Sequence, residues 1–170
     1  MPTAVLMLGG VPIVLHAGAP ECSVEGVEGA ATVRMSTGTL VKMTHWNGKA
    51  AGSISGNGWM PPGLDGLDYS QPLELLSTQP ETISTTATSA ALSSEPRSDV
   101  APWALALVGR EWVPAACSYA AGIATATPVA GATLYAFYWL PAYQVFATKP
   151  SKGLNTGAAS HSWSISWEQI

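Results

Sequence analysis

The chain has 170 residues, 47% of them hydrophobic and only 11% charged, with a net charge of −4, a pI of about 5.2 and a mean hydropathy of +0.21. Ordinary soluble domains carry roughly 25% charged residues, so the deficit calls for a physical reason. The apolar content argues against disorder, 17 Gly and 13 Pro against a long coiled coil, and seven Lys and Arg outnumbered by eleven Asp and Glu against specific nucleic-acid binding.

Length suits one domain, 1–170, and the predicted elements are strands. Residues 4–8 and 11–16 flank Gly9-Gly10, a pair able to take the positive φ values of a tight hairpin turn. Pro12 cannot donate to a ladder, which places its strand at an edge or turns the Pro outward. Residues 31–36 and 39–44 form a second hairpin through Thr37-Gly38, and Asn47-Gly48 marks another tight turn. Further strands are predicted at 72–76, 81–88, 103–108, 112–118, 133–140 and 143–148, with Gly109-Arg110 turning the pair at 103–118. Ser98-Asp99 with Pro102 is the best helix start, yet Trp103, Leu105 and Leu107 alternate as a strand does. The run 160–168 is the clearest: His161, Trp163, Ile165 and Trp167 take one face and Ser160, Ser162, Ser164 and Ser166 the other. Gly- and Pro-rich 56–70 and Ser/Thr-rich 84–99 read as long loops. The fold class expected is therefore all-β: an antiparallel β-sandwich or a partly closed barrel.

Charge is also unevenly placed. Before Glu21 the only ionisable side chain is His16, and between Asp99 and Lys149 the only charges are Arg110 and Glu111. A free monomer spreads charge to stay soluble, so these stretches are expected to be covered, and assembly with other subunits is the expected cover. Membrane insertion is not expected, because Gly9, Gly10, Pro12, Pro128, Gly131 and Pro141 cut the apolar runs well short of the roughly 20 residues that a spanning helix needs. No basic n-region precedes Arg34, so no secretory signal is read, and Cys22 and Cys117 are expected to be free, buried thiols.

No catalytic constellation is found. The pentapeptide 52–56 has Ile54 at its centre, which breaks the Gly-x-Ser-x-Gly elbow, and no phosphate-binding glycine loop opens a helix. Asp65 and Asp68, three apart in a Gly-rich loop, have too few neighbouring acids for calcium and read as turn residues. His16, His45 and His161 are too scattered for zinc, so no metal and no cofactor is expected. Of seven Trp, those at 103, 139, 163 and 167 fall in strands and suit a core or a subunit interface. Trp46 and Trp59 flank turns and suit contacts outside the domain.

Three stretches carry a family resemblance: Leu8-Gly9-Gly10-Val11-Pro12-Ile13-Val14-Leu15; Asn47-Gly48-Lys49 through Gly58-Trp59-Met60-Pro61-Pro62-Gly63-Leu64-Asp65-Gly66-Leu67-Asp68-Tyr69; and the Trp-rich strand ending Trp167-Glu168. In these the chain resembles structural proteins from the tail of long-tailed bacteriophages. The resemblance implies a non-enzymatic virion component, made in the host cytoplasm and assembled as an oligomer near the tail tip or baseplate. Its partners would be copies of itself and other virion proteins. A tail-tube or capsid-decorating subunit is the nearest alternative, and a carbohydrate-binding adhesion module an alternative of another class. The interface residues expected are Trp46, Trp59, Pro61, Pro62, Asp65, Asp68 and Tyr69. An acidic subunit would also let DNA pass a channel without sticking.

Overall fold

A computed structural model describes residues 4–170, and its secondary structure is all β apart from one 3₁₀ turn at Leu15–Ala17. The first strands are β1 (Met7–Leu8), β2 (Val11–Pro12), β3 (Glu21–Arg34), β4 (Leu40–Gly58), β5 (Leu73–Leu76), β6 (Glu81–Thr85) and β7 (Ser89–Ala91). They are followed by β8 (Trp103–Val108), β9 (Glu111–Ala115), β10 (Cys117–Ala120), β11 (Ile123–Ala126), β12 (Ala132–Trp139), β13 (Ala142–Ala147), β14 (Ser151–Asn155) and β15 (Ser160–Gln169). Every strand pairing described is antiparallel and no sheet closes into a barrel, so the fold is sandwich-like. No helix among the described residues is long and apolar enough to cross a membrane.

Contacts divide the chain into two compact units: the chain up to Pro12 with Glu74–Tyr143, and Ile13–Leu73 with Gln144–Ile170. In the first unit, Gly9 and Gly10 (φ 57° and 80°) turn the β1–β2 hairpin, which is shorter than the sequence suggested. Pro12 ends the ladder, and β2 is indeed an edge strand. A four-stranded sheet (β6-β12-β8-β9) and a three-stranded one (β10-β11-β7) share one core: Ala104 and Ala106 of β8, Ala124 and Ala126 of β11, and Tyr135 and Phe137 of β12. Ala104 and Ala106 stand opposite Phe137 and Tyr135 in register, and with Ala124 and Ala126 of β11 they leave room for the two aromatic rings.

This core accounts for part of the charge deficit. Alternate residues of β8, β11, β12 and β13 in the uncharged 100–148 stretch are buried by the chain's own packing, whereas most of 109–133 stays exposed. No helix opens at Ser98-Asp99, in keeping with the strand alternation of Trp103, Leu105 and Leu107, and the 84–99 stretch is not a plain loop, because β7 lies within it and pairs with β11.

The second unit is built on β4. Its Gly58 half pairs with β15, which also pairs with β14 and with Val145–Ala147 of β13; β3 forms the outer edge. The alternation in β15 is realised as read: Trp163, Ile165 and Trp167 are buried and Ser162, Ser164 and Ser166 exposed. Gly52 and Gly56 lie opposite Trp167 and Trp163 on β4, and the absence of β-carbons there makes room for the indoles. Trp163 donates its Nε1–H to the Ala17 carbonyl at 2.7 Å, which satisfies the one polar group of a buried ring.

Asn47-Gly48 is not a turn. Gly48 takes φ 77°, but within β4, where Val27 pairs with Lys49 and Gly29 with Trp46, leaving extra residues on β4. The positive-φ signal was real and serves a β-bulge instead, a feature that bends the strand pair. Cys22 and Cys117 are free but half-buried rather than fully enclosed, and burial raises both thiol pKa values.

Candidate interaction surface

Beyond the bulge, β3 and β4 leave the sheet as a two-stranded arm that runs to a turn at Gly38 (φ 83°), closed by Met35 and Thr39. Register and alternation put Ala31 and Val33 of β3 on the same face as Val41 and Met43 of β4, through the pairs Val33↔Val41 and Ala31↔Met43. The opposite face carries Thr32, Arg34, Lys42 and Thr44 together with Ala30 and the exposed Leu40. This is the pattern of a half-buried strand pair, yet the whole of residues 30–49 is exposed, with Val33, Met35 and Met43 each at least 50% accessible. Lys42 pairs with Glu28 across the arm, and Arg34 Nη1 donates to the Gly38 carbonyl at 2.9 Å. Trp46, one of the expected interface residues, lies on the arm against Gly29 and is 49% exposed.

The other end of β4 carries a second apolar surface. Gly58 approaches the backbone of residues 16–18 so closely that a β-carbon there has no room, and Gly18 meets the Asn57 backbone in the same way. Trp59 and Met60 then donate backbone N–H groups to the His16 carbonyl, at 3.1 and 3.3 Å. This fixes the Trp59 ring edge-on to His16, with centroids 5.5 Å apart. The result is a knuckle on which Leu15 is 76%, Trp59 66% and Val14 40% exposed.

The remaining expected residues follow in the loop beyond Trp59. Pro61 is exposed and Pro62 buried, so only the first presents itself to a partner. Tyr69 donates its hydroxyl to the Leu64 carbonyl at 2.7 Å and braces the loop; burial raises the phenol pKa, with a smaller contribution from Asp65. Asp68 Oδ1 accepts from the Ser70 backbone N–H at 3.0 Å and its hydroxyl at 2.6 Å, a local turn that lowers the carboxyl pKa. Asp65 pairs instead with Lys152 of β14, whose hydrogen bond lowers its pKa. The two carboxylates are thus engaged separately, and no group of three or more His, Cys, Asp or Glu is gathered as a metal site among the described residues.

Six of the seven expected residues therefore lie together, and Trp46 lies apart on the arm. Val14 and Leu15 were missed because they sit in an apolar run that read as the second strand of the first hairpin.

A shallow groove of about 670 Å³ lies on the second unit, with Ser23, Glu25, Ser53, Thr148, Ser166 and Glu168 among its lining. Glu25 and Glu168 flank Ala51 on neighbouring strands, a separation of roughly 9.5 Å between their backbones. Paired carboxylates of this kind serve glycoside hydrolysis when one is desolvated enough to act as an acid, but both of these are exposed. The groove is a hydroxyl-rich sheet face, with Ser23 and Ser53 hydrogen-bonded to each other at 2.9 Å.

No family model, curated protein or solved structure matches the chain.

Proposed function

We propose that this chain is a non-enzymatic structural subunit of a bacteriophage virion that works as an oligomer, with the tail tip or baseplate region as its place. The observation that carries the assembly part of this reading is the arm. A two-stranded ribbon is marginally stable alone in water, and this one keeps an apolar face exposed over two cross-strand pairs, Ala31↔Met43 and Val33↔Val41. Such a face is explained by a partner that covers it. The virion part rests on the resemblance of the three stretches described above. The long free edge of β3 and the exposed knuckle supply further surface for neighbours.

A tail-tube or capsid-decorating position is the nearest alternative. Carbohydrate adhesion has one observation in its favour, the Trp59 ring held out by His16. Immunogold electron microscopy of particles from cells expressing the encoding genome tests the placement. Label at the tail tip is expected; label along the tube or on the head selects the alternative, and unlabelled particles sink the virion reading. A glycan array bound by wild type and lost in Trp59→Ala would favour adhesion.

A further inference from the structure

The chain holds two Asn-Gly dipeptides, Asn47-Gly48 and Asn57-Gly58, and the fold treats them oppositely. Both lie in β4, and both Asn side chains are exposed. An Asn followed by Gly is open to attack by its own backbone, because glycine puts no β-carbon between the following nitrogen and the side-chain amide. Whether the attack happens depends on whether the backbone is free to turn and close a five-membered ring.

At Asn47-Gly48 it is free. Val27 pairs with Lys49 and Gly29 with Trp46, so the register gives neither Asn47 nor Gly48 a partner on β3. Nothing stands within 4 Å of the place that a β-carbon would take at Gly48. The arm beyond is paired only strand to strand and exposed on both faces, so its root opens at low cost.

At Asn57-Gly58 the same turn is blocked. Asn57 pairs with Ser162 and Gly58 with His161 of β15. A β-carbon at Gly58 would stand 2.2 Å from the Ala17 carbonyl carbon, and one at Gly18 would stand 2.3 Å from the Asn57 carbonyl oxygen, so backbone presses on both residues. The N–H groups of Trp59 and Met60, bonded to the His16 carbonyl, hold the chain just beyond. The third Asn, Asn155, precedes β-branched Thr156, and its Oδ1 accepts from the Gly157 and Ala158 N–H groups, both at 3.1 Å.

We infer that Asn47 is a site of spontaneous deamidation and that Asn57 is not. The Gly48 nitrogen yields its proton to solvent and bonds to Asn47 Cγ. The Cγ–Nδ2 bond breaks, and the Nδ2 group takes up a proton and leaves as ammonia. Water then opens the succinimide. Cleavage between the nitrogen and Cγ leaves aspartate in an ordinary chain; cleavage between the nitrogen and the Asn47 main-chain carbonyl carbon leaves isoaspartate, with the chain running through the former side chain. Water is the only reagent consumed. The product is the first carboxylate within residues 30–58, and its iso form lengthens the backbone by one carbon at the root of the arm. The change is one-way and stands whether or not a partner covers the arm.

The test follows full-length protein, folded and in urea, at mildly alkaline pH over days, with peptide mapping by mass spectrometry. In the folded protein Asn47 is expected to convert at least about tenfold faster than Asn57, with isoaspartate in excess over aspartate and ammonia released in proportion. In urea the two sites are expected to convert at similar rates, because the same dipeptide then has the same freedom. Asn47→Gln, shown to be folded by circular dichroism, is expected to release little ammonia. If folded Asn57 converts as fast as Asn47, or folded Asn47 keeps its amide while the urea sample loses it, the assignment is overturned. Aspartate without isoaspartate would overturn the succinimide route, and undiminished ammonia release from Asn47→Gln would place the reaction elsewhere in the chain.

Discussion

Trp163 lies over Gly56, its register partner on the neighbouring strand, so closely that a β-carbon at position 56 would stand 2.7 Å from the indole. Trp167 stands in a similar relation to Gly52, where an added β-carbon would also run into the Ser23 backbone carbonyl. The serine–tryptophan alternation of β15 therefore works only because β4 withdraws its own side chains at two matching positions. Gly56→Ala is expected to cost about 1–3 kcal/mol through overpacking, and Gly52→Ala more, since backbone cannot swing aside as a side chain can. Gly48→Ala, where nothing lies within 4 Å, pays only the left-handed φ, about 1–2 kcal/mol. Urea unfolding of the three variants checks the order, and a Gly48→Ala more damaging than Gly52→Ala would contradict it.

Arg97 is 2% exposed and ties the first unit together. Its Nη1 donates to the carbonyls of Val5, Leu76 and Ser77, at 2.9, 3.3 and 3.0 Å, while Nε and Nη2 grip the Asp99 carboxylate at 2.9 and 2.7 Å. Arg97→Met would strand three carbonyls and is expected to cost about 3–5 kcal/mol. Asp99 is half exposed, so Asp99→Asn is expected to cost only about 1 kcal/mol. The Arg97 hydrogen bonds hold the Asp99 carboxyl below its ordinary range. A depressed carboxylate pKa contributes stability that is present above the unfolded value near 4 and is lost as pH falls through the folded value. Asp65 and Asp68, also lowered, act in the same direction. Urea midpoints measured from pH 6 to pH 2.5 should fall for wild type below about pH 4, and less steeply for Asp99→Asn.

Legibility from sequence tracked contrast between neighbouring residues. The β15 faces, the Gly38 and Gly109 turns and the exact span of β8 were readable because apolar and polar residues alternate, or because glycine stands where φ must be positive. Three strands passed unnoticed: Ser89–Ala91, Ile123–Ala126 and Ser151–Asn155 are made of small or mixed residues with no period to detect. A Gly after Asn signals positive φ without saying whether a turn or a bulge uses it, and at Gly48 that ambiguity hid the true length of β4. Arg97 was illegible for a different reason: a lone Arg in a Ser-rich stretch gives no sign of the three distant carbonyls that it joins. For the surface, Trp59 was legible as an aromatic in an irregular loop, whereas the arm's exposure was not. Its pattern promises burial, and only the structure shows that nothing within the chain supplies it.

Glu81 and Tyr143 form the polar knot of the first unit. The Glu81 carboxylate accepts from Tyr143 at 2.5 Å, from Ser93 at 3.0 Å and from Ser94 at 2.7 Å, and Ser94 in turn accepts from Trp139 Nε1 at 2.9 Å. Burial, reinforced by the Glu81 contact, drives the Tyr143 phenol well above the usual tyrosine range. A raised pKa contributes stability that is intact below the unfolded value near 10 and is lost as pH climbs toward the folded value. Wild type is therefore expected to lose stability above about pH 10, and Tyr143→Phe to lose less over the same interval while starting about 1–2 kcal/mol lower. Urea midpoints between pH 8 and pH 11 measure both, and parallel curves for the two proteins would contradict the assignment.

The arm carries the last prediction. Residues 51–55 of β4 lie between β3 and β15 and residues 56–58 stay paired with β15, so their opening requires the sheet to come apart. Residues 30–46 are bonded only to the opposing strand of the arm, with both faces exposed, and can open without disturbing the sheet. Trp46, laid against Gly29, is the largest side chain bracing the root of the arm. Amide hydrogen exchange followed by mass spectrometry on monomeric protein should show arm peptides exchanging at least about a hundredfold faster than those spanning 50–58, and Trp46→Ala should speed the arm further while leaving 50–58 unchanged. In the assembled state the arm peptides should become protected, because a neighbour then covers the face that the chain itself leaves open. Arm peptides as protected in the monomer as in the sheet would mean that the ribbon is stable without a partner, and its apolar face would no longer argue for one.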